Sequence, residues 1–194
     1  NIGYLALKLA LEQHYGDSLQ AILSRQIFEP LELRGMYVAN SLEGAEELSA
    51  GYTAFWREDG ALEDMRARYH PGWVAHGVVA STASDLSRFM QALFGGKLIG
   101  ESLLQEMCKP TIVPAAHPYI QQPGYGLGLM LDGRSPYGLT AGHGGGGPGY
   151  SAAAFYFADV EGHAVSSVAL ANRDHPDVAV DIAFMLKDLL DTKN

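Results

Sequence analysis

Disulfide chemistry is the first thing this sequence excludes. Cys108 is its only cysteine, so no bridge can form within the chain. Cys108 has no cysteine partner at metal or redox spacing and follows an apolar helical pattern, which predicts a buried or half-buried, inert thiol. Positive charge is scarce as well: 13 Lys and Arg are scattered among 22 Asp and Glu, for a formal net charge of -9. Nucleic-acid binding needs clustered cations to meet phosphates, and that class is excluded. No apolar run approaches the ~20 residues that a membrane-spanning helix needs. No two histidines stand at the i, i+4 spacing of a helical metal site and there is no Cys-x-x-Cys, so neither a metal nor another cofactor is expected. Repeats, low-complexity tracts and evident interdomain linkers are absent too.

What the chain has is apolar residues (47%) and 23 glycines in 194 positions, a globular composition. A chain of this length buries roughly 70% of the surface its unfolded form exposes. It opens without Met, on Asn1 followed at once by Ile2, Tyr4 and Leu5. The expectation is a sequence that begins inside a structural element, with a segment upstream.

Periodicity supplies the elements. Residues 2–15 read as a helix apolar nearly all round, which predicts burial on most sides, closed by Gly16. Asp17 or Ser18 caps a second helix with Leu19, Ile22, Leu23 and Ile27 on one stripe, stopped by Pro30. Residues 33–74 dissolve into polar loops with strand-like pieces such as 51–56; Tyr52, Trp56 and Trp73 there either wall a pocket or simply pack. Thr82 with Asp85 resembles a capping box before an amphipathic helix carrying Leu86, Phe89, Met90 and Leu93, ended by Gly95-Gly96. A short helix over 101–108 follows. Residues 125–131, 151–157 and 164–171 read as strands, the last two forming a hairpin through Asp159-Val-Glu-Gly162. After Pro176 a closing amphipathic helix carries Val178, Ile182, Met185, Leu186, Leu189 and Leu190. Helices, then strands, then a helix predict an α+β fold with an antiparallel sheet flanked by helices.

The most unusual stretch is Ala141-Gly-His-Gly-Gly-Gly-Gly-Pro-Gly-Tyr-Ser151. A phosphate-binding loop would need Lys-Ser/Thr after the glycines and then a helix, whereas Pro148, Gly149 and a strand follow. A nucleophile elbow would need Gly-x-Ser-x-Gly, and Gly149-Tyr-Ser-Ala-Ala153 lacks the last glycine. Two readings stay open. One is an active-site strand, on which glycines let a substrate approach the backbone and an exposed N–H stabilises an oxyanion. The other is a glycine-rich turn around a satisfied histidine. A Ser151 or Ser81 dyad with His143 is a further reading, the least supported of those weighed.

His143-Gly-Gly followed by Gly-Gly-Pro-Gly-Tyr-Ser resembles the His-x-Gly motif of the serine β-lactamase-like esterases, peptidases and penicillin-binding proteins, of the class C β-lactamase type. In β-lactamases proper the same place is Lys-Thr-Gly. The resemblance extends over nearly the whole chain, through Ile27-Phe-Glu-Pro-Leu31, Gly35-Met36, Gly77-Val-Val-Ala-Ser-Thr-Ala-Ser-Asp-Leu86 with Phe89, and Tyr125-Gly-Leu-Gly128. It implies a β-lactamase/transpeptidase-like fold of which residues 1–194 are the C-terminal portion of a single domain, the N-terminal part missing. The family's nucleophile lies in Ser-x-x-Lys. Lys8, Lys97, Lys109, Lys187 and Lys193 are preceded three residues back by Leu5, Phe94, Glu106, Phe184 and Leu190, so this chain has no such motif.

The resemblance implies acyl transfer on a small ester, amide or peptide, with the nucleophile supplied by a missing N-terminal segment or a partner chain that completes the fold. Asn1, as the last residue of the family's Tyr-x-Asn motif, would bind the substrate's acyl side chain. His143 would stand where the lysine stands, and the Gly146 N–H would be one oxyanion donor. Gly144 and Gly145 would border the substrate, with His76 at the rim. Histidine, with a reference pKa of about 6.5, is mostly neutral at pH 7. The exchange of lysine for histidine therefore weakens the case for β-lactams and favours esters or small amides. The alternative is a non-catalytic relative that binds peptidoglycan-like or peptide ligands.

Overall fold

Helix α1 runs from Ile2 to Tyr15 and stops where Gly16 takes a left-handed φ of 67°, its N–H donating to the Glu12 carbonyl at 2.9 Å. The computed structural model describes residues 1–43, 45–175 and 177–191; Pro176, expected just before the closing helix, lies outside them. The chain divides into two compact units, one formed by residues 1–85, 147–150 and 172–174 and the other by the remainder.

In the first unit α1 corrects an expectation. Its apolar composition predicts burial, yet none of its residues is buried, with Ile2 86% and Leu7 60% exposed. Nothing described packs on enough of its circumference to cover it. Helix α2 (Leu19–Leu23) begins at Ser18, whose Oγ accepts from the Ala21 N–H at 3.3 Å. The expected regular continuation to Pro30 instead widens into a π turn over Ser24–Phe28, closed by the Glu29 N–H to the Ser24 carbonyl at 2.9 Å. Pro30 has no N–H to give the carbonyl four residues back, so the last turn loosens.

The irregular stretch that follows carries β1 (Tyr37–Ala39), β2 (Tyr52–Thr53), β3 (Glu63–Asp64) and β4 (Val78–Ala80), pairing antiparallel as β1–β4 and β2–β3. The strand-like piece 51–56 is reduced to its two residues in β2. Trp56 and Trp73 remain largely exposed, each meeting one ring edge-on, Phe55 and Tyr69 respectively. Distant segments organise this stretch. The Tyr52 N–H donates to the Asn172 carbonyl at 2.9 Å, and Thr53 bonds to Asp174. Tyr150 lies on Gly51, where a Cβ would stand 2.3 Å from its ring, and donates its hydroxyl to the Ser49 carbonyl at 2.7 Å. Gly149, at φ 85°, also lies against Gly51; a Cβ there would lie 2.8 Å from Gly51 backbone atoms.

Thr82 caps α3 (Ala83–Phe94) as expected, its Oγ1 accepting from the Asp85 N–H at 3.1 Å. Asp85 serves a second purpose: its carboxylate accepts from the Gly35 N–H at 2.7 Å. Gly35 is forced, because a Cβ there would come within 2.8 Å of both Asp85 and Thr82.

The second unit takes up the rest of α3, then α4 (Glu101–Met107), and a six-stranded meander in the order β10-β9-β8-β7-β6-β5. Its strands are β5 (Thr111–Ile112), β6 (Pro123–Tyr125), β7 (Met130–Asp132), β8 (Thr140–Gly147), β9 (Tyr150–Val160) and β10 (His163–Ala171), followed by α5 (Val178–Asp188). The single strand expected over 125–131 is two short strands joined by a turn. Gly128 takes φ 77°, and a Cβ on Gly126 would lie 2.2 Å from the Met107 carbonyl oxygen. The β9–β10 hairpin turns at Glu161 and Gly162, both at positive φ, with the Asp159 carboxylate accepting from the Gly162 N–H at 2.8 Å.

Alternation on β9 sends Phe155 and Phe157, both fully buried, to one face, where Ala179, Ala183 and Phe184 of α5 cover them. Each phenylalanine contributes about 1.5–3 kcal/mol by burial. A second cluster joins Leu129, Leu131 and Ala141 to Phe94, Met107 and Cys108. Cys108 is half-buried and burial pushes its thiol pKa up, in keeping with an inert thiol. Lys187, only 4% exposed, sets its ammonium 3.8 Å over the Tyr137 ring and pairs with Asp188. Burial pulls its pKa down, but hydrogen bonds to Asp188 and Tyr137 outweigh that and hold it above the ordinary lysine value.

Replacement Gly149→Ala is expected to lower stability by roughly 2–5 kcal/mol. It combines ~1–2 kcal/mol for a left-handed alanine with ~1–3 kcal/mol of overpacking against Gly51. Urea unfolding followed by tryptophan fluorescence measures it, and a change under about 0.5 kcal/mol would contradict the close approach.

Candidate active site

Strand β8 sits between β7 and β9, in register with β7 through Met130↔Gly142, Leu131↔Ala141 and Asp132↔Thr140. Its glycines have two distinct physical origins. Gly142 is demanded by packing, since a Cβ there would lie 2.2 Å from the Ala154 carbonyl oxygen and 2.7 Å from the Phe155 Cα. Gly144 and Gly145 would tolerate one, at 3.4 Å from Val180 and 3.6 Å from Ala152. At Gly146 and Gly147 a Cβ would meet nothing within 4 Å. Among the described residues no packing requires glycine at those two positions, and what their smallness leaves is an approachable, exposed backbone.

His143 stands one residue beyond the packed Gly142, and its side chain is exposed. Both ring nitrogens are engaged. The Tyr125 hydroxyl lies 2.8 Å from Nε2, with the two rings edge-to-face at 89° and 5.7 Å between centroids, and Nδ1 meets the Gly144 carbonyl oxygen. Tyr125 reaches His143 from β6 past β7, two strand spacings or ~9.6 Å away.

The remaining expected site residues belong to the first unit. Asn1 is the N-cap of α1, exposed, with no side-chain bond to the helix, while its carbonyl accepts from the Leu5 N–H at 3.1 Å. His76 is half-buried, its ring 6.4 Å from that of Tyr4, one turn into the helix that Asn1 begins. The structure thus gathers His143, Gly144, Gly145 and Gly146 on one strand, and His76 beside the first turn that Asn1 caps. Sequence reasoning missed Tyr125 and Tyr4 as partners. Tyr125 was visible only as the head of Tyr-Gly-Leu-Gly, and its reach to His143 depends on strand order, which periodicity does not give.

The serine dyad reading is overturned. Ser151 is buried on β9 with no hydrogen-bond partner among the described residues, Ser81 donates to the Thr82 carbonyl at 2.8 Å, and the nitrogens of His143 are occupied by Tyr125 and Gly144. Among the described residues no three His, Cys, Asp or Glu side chains come together as a metal site, and no helix is long and apolar enough to cross a membrane.

A meander sheet packed between helices, carrying an exposed histidine and open glycines on one strand, defines a class, and comparison with known proteins agrees. The family model described as Beta-lactamase matches residues 1–190. The chain belongs to that family, the β-lactamase-fold serine hydrolases. It is 27% identical over 183 residues to a penicillin-binding protein of Bacillus subtilis (strain 168), covering 90% of this chain and 39% of that protein. Among solved structures it is similar to a D-stereospecific amidohydrolase from Streptomyces sp., at 30% identity and a TM-score of 0.68, covering 86% of this chain and 47% of that one. A D-amino acid amidase from Ochrobactrum anthropi matches at 25% identity and a TM-score of 0.72, over 97% of this chain and 54% of the other. The chain therefore spans about half or less of the length of these relatives.

The two kinds of glycine give contrasting expectations. Gly142→Ala should destabilise the protein by about 1–3 kcal/mol or prevent folding, because backbone on β9 cannot yield. Gly146→Ala should stay within about 0.5 kcal/mol of the parent. Parallel urea titrations check the contrast, and equal losses would refute it.

Proposed function

We propose that this chain is the C-terminal portion of a single catalytic domain that hydrolyses small amides or esters through a serine acyl-enzyme, the serine and its lysine lying in a preceding segment. The observation that carries the reading is β8: an exposed His143 followed by Gly146, whose backbone no packing explains. In this mechanism the serine oxygen attacks the substrate carbonyl carbon. The Gly146 N–H and the nucleophile's own N–H receive the oxyanion. The carbon–nitrogen or carbon–oxygen bond then breaks, the leaving group takes a proton, and water hydrolyses the acyl-enzyme. Asn1 binds the acyl side chain, Gly144 and Gly145 border the substrate, and His76 stands at the rim. The amidohydrolase and amidase among the similar structures favour amides, D-amino acid amides included.

Uncovered apolar surface supports a preceding segment, or a partner chain in its place. In the first unit α1 has no buried residue. In the second, β10 ends the sheet with an unpaired outer edge among the described residues, and Met185 of α5 is 61% exposed, with Leu189 beyond it at 79%. Open edges and apolar faces of this kind demand covering. None of the chain's five lysines follows a serine at the family's spacing, which also leaves room for the second reading, a ligand-binding relative without turnover.

The isolated 194 residues should be labelled by neither a fluorophosphonate nor a penicillin probe, whereas the chain extended by its preceding segment should be labelled on a serine of that segment. Covalent labelling of Ser151 contradicts the assignment, and no labelling of the extended chain establishes the binding relative instead. In the extended enzyme His143→Ala should lower kcat/KM for a D-amino acid amide more than His76→Ala does. Comparable losses count against β8 as the reacting strand.

A further inference from the structure

We infer that Tyr125 is a positioning and specificity-determining residue: it holds His143 as a neutral imidazole protonated on Nδ1, which fits the site to uncharged amides and esters and denies it the cation that a carboxylate would need. The inference rests on the reading of β8 as the acyl-transfer strand for its functional consequence, whereas the hydrogen on Nδ1 follows from the contact with the Gly144 carbonyl.

The argument begins at the Gly144 carbonyl. Its oxygen carries no hydrogen, so contact with Nδ1 makes Nδ1 the donor. A neutral imidazole has one N–H, and with it on Nδ1 the Nε2 atom bears a lone pair. The Tyr125 hydroxyl, 2.8 Å from Nε2, is then the donor of the second bond. The imidazole's only hydrogen and only lone pair are both committed. The lysine that occupies this place in β-lactamases proper carries a full charge and three donors. His143 in this arrangement has no N–H left to offer an anion, so its contribution is shape and fixed orientation beside the open backbone of Gly145 and Gly146. Gly144 places the hydrogen on Nδ1, and Tyr125, from outside β8, engages the Nε2 lone pair that would otherwise meet solvent or substrate.

Two-bond proton–nitrogen spectra of the 194-residue chain labelled with nitrogen-15 histidine read the tautomer directly and need no turnover. His143→Gln identifies the signal. The parent should show the Nδ1–H form. In Tyr125→Phe the Nδ1–H to Nε2–H ratio should fall at least about tenfold, a change of ~1.4 kcal/mol and the size of one net hydrogen bond. Amide-proton dispersion verifies that the variant is folded, and Tyr125→Leu, which likewise removes the hydroxyl, is the second variant should phenylalanine unfold the chain. A parent His143 protonated on Nε2, or a ratio unchanged by a folded variant, overturns the proposal. In the extended enzyme Tyr125→Phe should also lower the preference for D-phenylalanine amide over a D-phenylalanyl dipeptide ending in a free carboxylate, mainly through KM. An unchanged preference overturns the specificity role. An extended enzyme that turns over neither substrate, while the chain still shows the Nδ1–H form lost in Tyr125→Phe, sinks the hydrolase reading and leaves the pairing standing.

Discussion

Backbone meets backbone at Gly142, and the candidate site takes its form from that contact. Ala154 and Phe155 of β9 stand so close that no side chain fits at this point of β8. Phe155 cannot retreat, because Phe184 and the alanines of α5 hold it from behind. The fit fixes β8 within the sheet to a fraction of an ångström. One residue further on, the strand comes to the surface: His143 leaves the packed region already oriented, and the next three glycines carry progressively less protein around them. A surface placed directly after a rigid, over-determined contact inherits its precision from the core and not from its own few interactions.

Much of this was legible from residue order alone. The closing helix, the β9–β10 hairpin, the Thr82 cap and the Gly16 stop all appeared where periodicity and capping chemistry put them, because each is decided by neighbours within a few residues. What failed was decided at longer range. The apolar sequence of α1 signals burial, but burial needs a neighbour to supply it. The run 125–131 has strand composition throughout, yet the Met107 carbonyl approaches Gly126 and forces a turn. Asp85 sits at its place behind the Thr82 cap and in addition binds Gly35, fifty residues away, which no local pattern announces. The site shows the same division. His143 and the glycines were conspicuous in sequence, whereas Tyr125 acquires its meaning only when β6 and β8 are placed one strand apart.

Exposed apolar residues line α1, where Ile2, Leu7 and Leu9 are more than half exposed, and the outer side of α5, where Met185 is too. These faces differ from scattered surface leucines in being contiguous along whole elements.

Helix α5 carries one further consequence. Ala179, Ala183 and Lys187 are spaced four apart and form a single line toward the sheet, the first two with no exposed surface and the third nearly so. Two alanines let the helix come close but offer little to distinguish one axial position from the next, since a smooth stripe can slide. Lys187 helps to end that degeneracy. Moved by one turn, ~5.4 Å, its ammonium would leave the Tyr137 ring, while Asp188, its neighbour on the same helix, would move with it. The stripe therefore behaves as a vernier: the small residues set the distance between helix and sheet, and Phe184 among its aromatic neighbours, the Ser167 hydroxyl donating to the Ala183 carbonyl at 2.6 Å, and the buried Lys187 set the registration.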